Sequence, residues 1–486
     1  MVISSPIRSK EWARTDSSPR PVFVAIPLLF VLLLFLSCSR GEAVVQSSEE
    51  VEARTLLLDY LSIDTSNPPG NETRAAEFFK DVFDREGIAT VLAGPEPSRQ
   101  SIIARLDSGT SNPSLVLLHH MDVVPAEAEA WTRSPFQGVT IDGYIWGRGS
   151  LDAKSLGIAQ LASFLELHRS QARLVRDVVF VAVADEEAGG MGGTNWLLEN
   201  RPELFRDAGW VLNEGGANEV IVDKVAFWGI EVDQKVPLWV TVRTAGSLGH
   251  SAVPPDDGGA AARLLALASE ILAEPGIYEI HPSVDAYFSA LKETKKGRKK
   301  ELLENLEAAV AEPDFEDALS DGYRSLLRNT IGLTKLHAGS TINVIPARAE
   351  ASFDIRLLPG ESAEATLLRI REIVGDRGTI EVHLLGKPAA ATSVDTPLYE
   401  SLSRHLLESE PGSVVGPLVT PGTTDCRFFR MHDTPCYGFS PFKVNYYDGD
   451  RVHGVDEKIR AKFFDEGVRL MRIVVRDFAT SSSQNP

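Results

Sequence analysis

The chain has 486 residues, 43% of them hydrophobic and 24% charged, and a formal net charge of −19. That length exceeds one small core and sets two folded domains as the expectation, in a composition ordinary for globular proteins. The acidic balance argues against a nucleic-acid partner, because a phosphate backbone needs a basic face.

The first segment reads as an export leader. Arg8, Lys10, Arg14 and Arg20 precede an apolar run over residues 22–36, the order of a basic n-region and an h-region. Phe35-Leu36-Ser37-Cys38 is similar to a bacterial lipoprotein box, with Phe35 where Leu is usual. Three readings stay open: a lipidated Cys38, an uncleaved signal anchor, and ordinary secretion. The run is short for a membrane span and contains Pro27. Each reading places the body of the protein outside the cytoplasm, anchored and facing the periplasm or exterior, or secreted. Residues 1–38 are the expected leader or anchor and residues 39–50 a polar tether. Cys38, Cys426 and Cys436 imply no disulfide framework, and a Cys426–Cys436 bridge is left undecided.

From residue 51 onward, helices alternate with short apolar strands. Strand-like runs cover residues 114–118, 177–184 and 209–212. A helix between them carries Ile158, Leu161, Ala162 and Leu165 at i, i+3, i+4, i+7 spacing. Strands without a polar face, separated by helices, predict an α/β domain with a largely parallel sheet. The texture changes near Lys235. Leu238, Val240 and Val242 alternate with Trp239, Thr241 and Arg243, a half-buried strand. A helix over 259–272, a strand over 349–356, a helix over 363–374 and a strand over 379–385 complete a small α+β domain with an antiparallel sheet. The charged stretch 291–319 reads as a solvated helical insertion within it. After residue 390 the α/β texture returns. The predicted organisation is an α/β domain of residues 51–234 and 390–480, interrupted by an inserted α+β domain at 235–389.

The three core strands each run into metal-type ligands. The first ends in His119-His120-Met121-Asp122, the second in Asp185-Glu186-Glu187 and the third in Asn213-Glu214-Gly215-Gly216. Residues two apart on an extended chain face the same way. His120 and Asp122 therefore point together, with the Asp122 carboxylate placed to fix the His120 ring. Functional groups at carboxyl ends of parallel strands follow the general rule for open α/β sheets. Any one of these motifs alone has an ordinary structural explanation; three at successive strand ends do not. Asp152, in Gly147-Arg148-Gly149-Ser150-Leu151-Asp152-Ala153-Lys154, is placed to bridge two metal ions.

The ordered series resembles the family of two-zinc aminoacylases and exopeptidases, which includes carboxypeptidases G and S, aminoacylase, succinyl-diaminopimelate desuccinylase and acetylornithine deacetylase. It rests on His120-Met121-Asp122-Val123-Val124-Pro125, the 147–154 block, Asp185-Glu186-Glu187, and His453 in Val452-His453-Gly454-Val455-Asp456-Glu457. Trp131, Pro135-Phe136 and Asn213-Glu214-Gly215-Gly216 look closest to the carboxypeptidase S-like branch. The resemblance implies one metal held by His120, Asp152 and Glu214, and another by Asp152, Glu187 and His453. Zinc is foremost, with cobalt or manganese as alternatives. It implies that Glu186 takes a proton from a water shared by the metals and passes it to the leaving amine. It also implies a cis peptide at Asp152–Ala153. In the inserted domain, which becomes a lid, His250 of Gly249-His250-Ser251 would steady the oxyanion, and in dimeric relatives that His reaches the neighbouring subunit. A homodimer through the lid and a monomer both stay open. Asn343, Arg356, Gly422 and Thr423 match substrate-contacting positions. Two departures stand out: Asn213, where Asp is frequent, and Cys426, where a small residue is usual. The implied activity is hydrolysis of an amide bond in N-acyl amino acids or short peptides with a free carboxylate. Deacetylation or carbamoyl hydrolysis at the same site is the alternative. A non-catalytic binding protein is disfavoured by the presence of Glu186 and all five ligands. The expected membrane contact is through the N-terminus only.

Overall fold

Three of the apolar runs form the centre of a nine-stranded sheet. Ser114–His120, Val178–Val183 and Ala208–Asn213 pair in parallel and are buried along most of their length. Strands with two apolar faces need cover on both. Leu115, Leu117, Phe180 and Ala182 point to one core with Ser48–Leu61, Thr73–Arg85, Lys154–Arg169 and Ala461–Thr480. Val116, Leu118, Val179 and Val181 point to the other, under Leu197 and Phe429. The sheet order is Thr90–Ala93, Ser101–Leu106, Val178–Val183, Ser114–His120, Ala208–Asn213, Cys436–Gly438, Lys224–Gln234, Val414–Thr420. Ala217–Ile221 pairs beside Lys224–Gln234. The centre is parallel, while Thr90–Ala93 and Ser101–Leu106 run antiparallel to their neighbours.

This computed structural model describes residues 47–274, 276–444, 449 and 451–481. The leader, Cys38 and most of the tether lie outside the described residues. Ser47 and Glu50, expected in the tether, instead start the first helix. The Ser47 hydroxyl accepts from the Glu50 N–H and the Glu50 carboxylate accepts from the Ser47 N–H, a capping box that satisfies two orphan donors. Among the described residues no helix is long and apolar enough to cross a membrane.

At Lys235 the chain leaves the large sheet for a four-stranded antiparallel one, ordered Thr330–Ala338, Arg348–Leu357, Val236–Ala245, Thr379–Leu385. The predicted alternation appears as burial. Leu238, Val240 and Val242 join Ala351, Phe353 and Ile355 in a separate core with helices Gly259–Leu272 and Ala363–Val374. Lys235 marks the crossing. Its buried ammonium donates to the carbonyls of Ser325 and Arg328 at 2.9 Å and to Thr330 Oγ1 at 3.1 Å. Burial lowers its pKa to about 7. The charged insertion is helical, in short pieces from Pro282–Leu291 to Asp321–Ser325. It is less solvated than its charge predicts. Leu302, Leu303, Leu306, Phe315 and Leu319 bury a third core against Phe227 and Val419 of the large sheet.

Two cross-links, one short and one long in sequence, lie beside each other at that sheet. Cys426 and Cys436 form a disulfide, which settles the pairing left undecided. Beside it, Arg430 Nη1 and Nη2 donate to Glu231 Oε1 and Oε2 at 2.8 and 2.9 Å, both side chains buried. Arg430 also donates to the Cys436 carbonyl at 2.8 Å and to Thr392 Oγ1 at 3.0 Å. Burial pushes the Glu231 carboxyl up, and the guanidinium opposes that. Removing one partner of such a pair strands the other in low dielectric. Arg430→Met is therefore expected to lose roughly 3–5 kcal/mol of stability, read as a lowered urea midpoint. A loss below about 1 kcal/mol would place the pair among the dispensable ones.

Candidate metal centre

The end of strand Ser114–His120 delivers two histidines to opposite faces. His119 enters the apolar core, its ring edge-on to Phe79 and Tyr60. Gly157 of the facing helix makes this possible, since a Cβ there would lie 2.3 Å from His119 Nε2. His120 faces the other way, into a cluster of acids. Its Nδ1 lies 2.9 Å from the Asp122 carbonyl oxygen. A carbonyl only accepts, so Nδ1 carries the proton and the Nε2 lone pair is free for a metal.

The Asp122 carboxylate does something the strand pattern did not predict. It stands 3.6 Å from His120 Nδ1, too far for a strong bond. Its oxygens instead accept the backbone N–H groups of Glu186 and Glu187 at 3.1 and 3.0 Å, and Asn67 Nδ2 at 2.8 Å. The ring is held by the main chain of Asp122, and the side chain of Asp122 holds the turn bearing Glu186 and Glu187.

Asp152 sits between the two histidines. His120 Nε2 is 3.0 Å from Asp152 Oδ1 and 3.8 Å from Glu214 Oε2. His453 Nε2 is 3.1 Å from Asp152 Oδ2 and 3.2 Å from Glu187 Oε2. Each trio, His120 with Asp152 and Glu214, and Asp152 with Glu187 and His453, has its donor atoms within 4.8 Å of one another. Ligands about 2.0–2.1 Å from a tetrahedral ion lie about 3.3 Å apart, which the observed contacts bracket. Glu187 Oε1 is buried with no hydrogen-bond partner among the described residues. An oxygen in that state and a nitrogen–carboxylate donor set suit zinc, cobalt or manganese. The peptide between Asp152 and Ala153 is cis.

Glu457 fixes the Asp152 turn. Its buried carboxylate accepts the N–H groups of Gly149, Leu151 and Asp152 at 3.1, 2.7 and 3.2 Å, and Arg148 Nη1 at 2.7 Å. Asp185, at φ 72°, is clamped by Arg99 at 2.6 Å and the Gly192 N–H at 2.6 Å. Gly193 is required on the way out, since a Cβ there would lie 1.8 Å from the Ala184 carbonyl. Sequence reasoning assigned no role to Asn67, Arg99, Asp185 or Glu457. Two of them carried a signal: Glu457, four residues beyond His453 in the same quoted motif, and Asp185, which opens the quoted Asp185-Glu186-Glu187 series.

Burial and mutual charge compete in this cluster. Burial raises the Glu186 carboxyl well above its ordinary range, and the Glu214 charge adds to it. Glu187 rises by burial and the charge of Asp152. Glu214 rises by burial against the pull of His120. Burial would also raise Asp152, but hydrogen bonds with His120 and His453 hold it below the usual range. Burial opposes charge on His120, yet Glu214, Asp122 and Asp152 lift it well above the imidazole range. Hydrogen bonds to Asp152 and Glu187 push His453 up to about 10. Acids that resist ionising beside histidines that favour protonation describe a site that calls for positive charge, which two divalent ions would meet. The Glu186 carboxylate accepts no hydrogen bond from any described side chain, while its backbone is fixed by Asp122.

The remaining residues divide. Arg356 is paired with Asp354 at 2.7 and 3.0 Å, and its Nη1 reaches Thr423 Oγ1 at 3.1 Å; Gly422 precedes Thr423 in that turn. His250 and Asn343 lie together at the two-stranded ribbon of Gly249–His250 and Val344–Ile345, with the Ser251 N–H on the Asn343 carbonyl at 3.2 Å. His250 is exposed, and its Nδ1 accepts the Ala252 N–H at 3.0 Å. Among the described residues no hydrogen bond or ion pair joins His250 or Asn343 to the metal-type ligands. Asn213 is buried, its Nδ2 without a hydrogen-bond partner among the described residues.

Comparison with known proteins agrees with this arrangement. Residues 116–477 match the model of the peptidase family M20/M25/M40. The chain is 31% identical over 383 residues to an N-fatty-acyl-amino acid synthase/hydrolase of Xenopus tropicalis, covering 76% of this chain and 73% of that protein. It is 27% identical over 432 residues to aminoacylase-1 of Homo sapiens, covering 87% and 94%. Among solved structures, an M20 family metallo-carboxypeptidase from Sulfolobus solfataricus superposes with a TM-score of 0.71 at 18% identity, covering 89% of this chain and all of that one. A dinuclear metal-binding M20 peptidase of Bacillus subtilis gives 0.54 at 13% identity, covering 90% and 100%. The family is metal-dependent and hydrolytic, and its fold is the one described above: this chain belongs to the peptidase family M20/M25/M40.

Proposed function

We propose that the protein hydrolyses the amide bond of N-acyl amino acids or short peptides that carry a free carboxylate, with Glu186 as the proton carrier. The observation that carries this reading is the placement of Glu186: adjacent to a ligand, locked at its backbone by Asp122, and free at its carboxylate. The names of the relatives, a hydrolase of N-fatty-acyl amino acids and an aminoacylase, support the substrate class. Two divalent ions, held by His120, Asp152 and Glu214 and by Asp152, Glu187 and His453, would supply Lewis acidity to water and to the scissile carbonyl.

The chain's own groups do the rest. Glu186 accepts a proton from the attacking water and returns it to the leaving amine nitrogen. Burial first, and then the Glu214 charge, raise its pKa, which favours the protonated form. That makes it a better acid in the second step. Arg356 and Thr423, already joined, orient the substrate carboxylate with Gly422 beside them, and Asn343 would join them from the ribbon it shares with His250. With its Nδ1 accepting the Ala252 N–H, the neutral His250 ring carries its proton on Nε2. That is the donor an oxyanion requires. His250 would reach the site by lid closure within one chain or across a lid-to-lid dimer.

We also propose export. The leader over residues 1–38 reads so, and a buried Cys426–Cys436 disulfide belongs to an oxidising compartment.

Glu186→Gln is expected to keep both metals, measured by elemental analysis, and to lose about 10²–10⁴-fold in kcat. Turnover near the wild-type rate would remove Glu186 from the mechanism. Chelation followed by dialysis should abolish hydrolysis of N-acyl amino acids, and zinc, cobalt or manganese should restore it; a fully active metal-free protein would defeat the metal assignment. His250→Ala should lower kcat by about 10²-fold with an unchanged melting temperature. A variant that melts early without a kinetic defect would make His250 structural.

A further inference from the structure

The turn that carries Glu186 is fixed firmly at one end only. Its start is held by the Asp122 carboxylate, which accepts the Glu186 and Glu187 N–H groups. Its exit runs through Gly189 and Gly190, at φ 104° and 67°, and glycine leaves a backbone more freedom than any other residue. The Gly189 N–H donates to the Glu186 carbonyl at 2.8 Å. The Gly189 carbonyl accepts Arg427 Nη2 at 2.5 Å. Arg427 therefore reaches the Glu186 backbone through a single intervening residue. Gly190 is pressed against the same segment: a Cβ there would lie 2.4 Å from Asp425 Oδ1 and 2.7 Å from the Phe428 ring. Leu384 of the lid lies beside Gly189, but an apolar contact fixes no direction.

Arg427 is a costly residue to keep there. It is buried, its Nη1 has no hydrogen-bond partner among the described residues, and its guanidinium carbon lies 4.4 Å over the Phe428 ring. Burial lowers its pKa; the charges of Asp425 and Glu186 oppose that, and Arg356 adds to it. The guanidinium thus stands within electrostatic reach of Glu186. No hydrogen bond to Asp425 relieves it: Asp425 Oδ2 accepts Thr194 Oγ1 at 2.8 Å, and Oδ1 has no partner among the described residues. A buried guanidinium left partly unbonded opposes stability, and an apolar side chain would serve packing better. Two anchors set where Arg427 lies. Helix Cys426–Arg430 has five residues, too few to hold itself. At its start the Cys426–Cys436 disulfide ties it to strand Cys436–Gly438, which pairs with the strand that leads to Glu214. At its end Arg430 binds Glu231 and the Cys436 carbonyl. The disulfide is the anchor next to Arg427.

We propose that Arg427 is a positioning residue for the hydrolytic step: its guanidinium, set in place by the Cys426–Cys436 disulfide, holds Gly189 and through it the backbone of Glu186. The proposal rests on the reading of Glu186 as proton carrier. It gives Arg427 no contact with metal or substrate, so loss of Arg427 acts on turnover and spares metal content and substrate affinity. A misplacement of about 1 Å at a reacting group can cost about 10²-fold in rate.

The test assays the full chain, loaded with zinc, on N-acetyl-L-phenylalanine and N-lauroyl-L-phenylalanine. Arg427→Met should lose about 10–100-fold in kcat, with KM little changed and both metals retained by elemental analysis. Arg427→Lys, whose ammonium can still donate to the Gly189 carbonyl, should recover part of that rate. The double variant Cys426→Ala, Cys436→Ala should show the same loss confined to kcat. Adding Arg427→Met to it should cost little more, because both act through one contact. In a Glu186→Gln background Arg427→Met should cost nothing further. If Arg427→Met does not fold by circular dichroism, Arg427→Lys, which keeps the buried charge, gives the same comparisons. Full activity of the Arg427 variants would overturn the proposal, as would a loss that appears in KM or metal content, or losses that simply add. Each of these leaves the hydrolytic reading standing. Glu186→Gln at the wild-type rate would instead defeat that reading, and the proposal with it.

Discussion

The site depends on keeping several buried carboxylates close together despite their mutual repulsion. Unpaired charges at such separations are costly in low dielectric. The fold meets much of this cost with backbone N–H groups, beside the Arg148–Glu457 and Arg99–Asp185 pairs. Asp122 accepts the two N–H groups that open the Glu186–Glu187 turn. Glu457 accepts three N–H groups of the turn that bears Asp152. In each case a buried acid that is not itself a proposed ligand anchors the loop that carries one. The arrangement converts conformational freedom in two loops into fixed donor positions before any ion binds, which is the condition for a metal site of defined geometry.

The anchoring only works where the strands place it. Parallel strands end on one edge, so His120, Glu186 and Glu214 arrive from adjacent strands with little loop between them. Strict alternation then divides His119 from His120: one packs among aromatic rings and the other faces the acids. A one-residue slip of the Ser114–His120 strand would exchange them and bring the wrong nitrogen to the cluster. Gly157 and Gly193 belong to the same constraint, since each leaves room for a group that the strand geometry drives against it.

How much of this could be read in advance follows from the range of each interaction. The central strands were legible because their burial is two-sided and leaves uninterrupted apolar runs. Lys224–Gln234 was not read as a strand, because Glu231 and Asp233 interrupt its pattern. Both are buried, and the partner that makes Glu231 tolerable, Arg430, lies far along the chain. Thr330–Ala338 was missed for the opposite reason: it is an edge strand largely exposed to solvent, with no burial to impose a period. The residues of the two candidate metal trios, with Asp152 common to both, were legible through their motifs. The true partner of the Asp122 carboxylate was not, because backbone N–H groups leave no trace in a side-chain pattern. The insertion's core was hidden in the same way, its leucines scattered among charges that occupy the other face of short helices.

The two halves of the cluster are unequal, and that bears on how a substrate enters. His120 is 1% exposed, whereas the His453 side chain is 53% exposed. His120 is held from behind by the Asp122 carbonyl, at the end of a buried strand. His453 comes from a loop at φ 60°, and its imidazole meets the cluster only through Asp152 and Glu187. The inner half is therefore rigid and shielded, and the open side of the cluster lies at His453. Arg356 and Thr423 approach from the other domain texture, a lid strand and a turn of the large sheet already joined by a hydrogen bond. On the proposed function, a substrate whose carboxylate is drawn toward that pair would lay its amide across the open side. On the proposed function, shielding on one side and access on the other would let Glu186 both take up and release a proton within a single turnover.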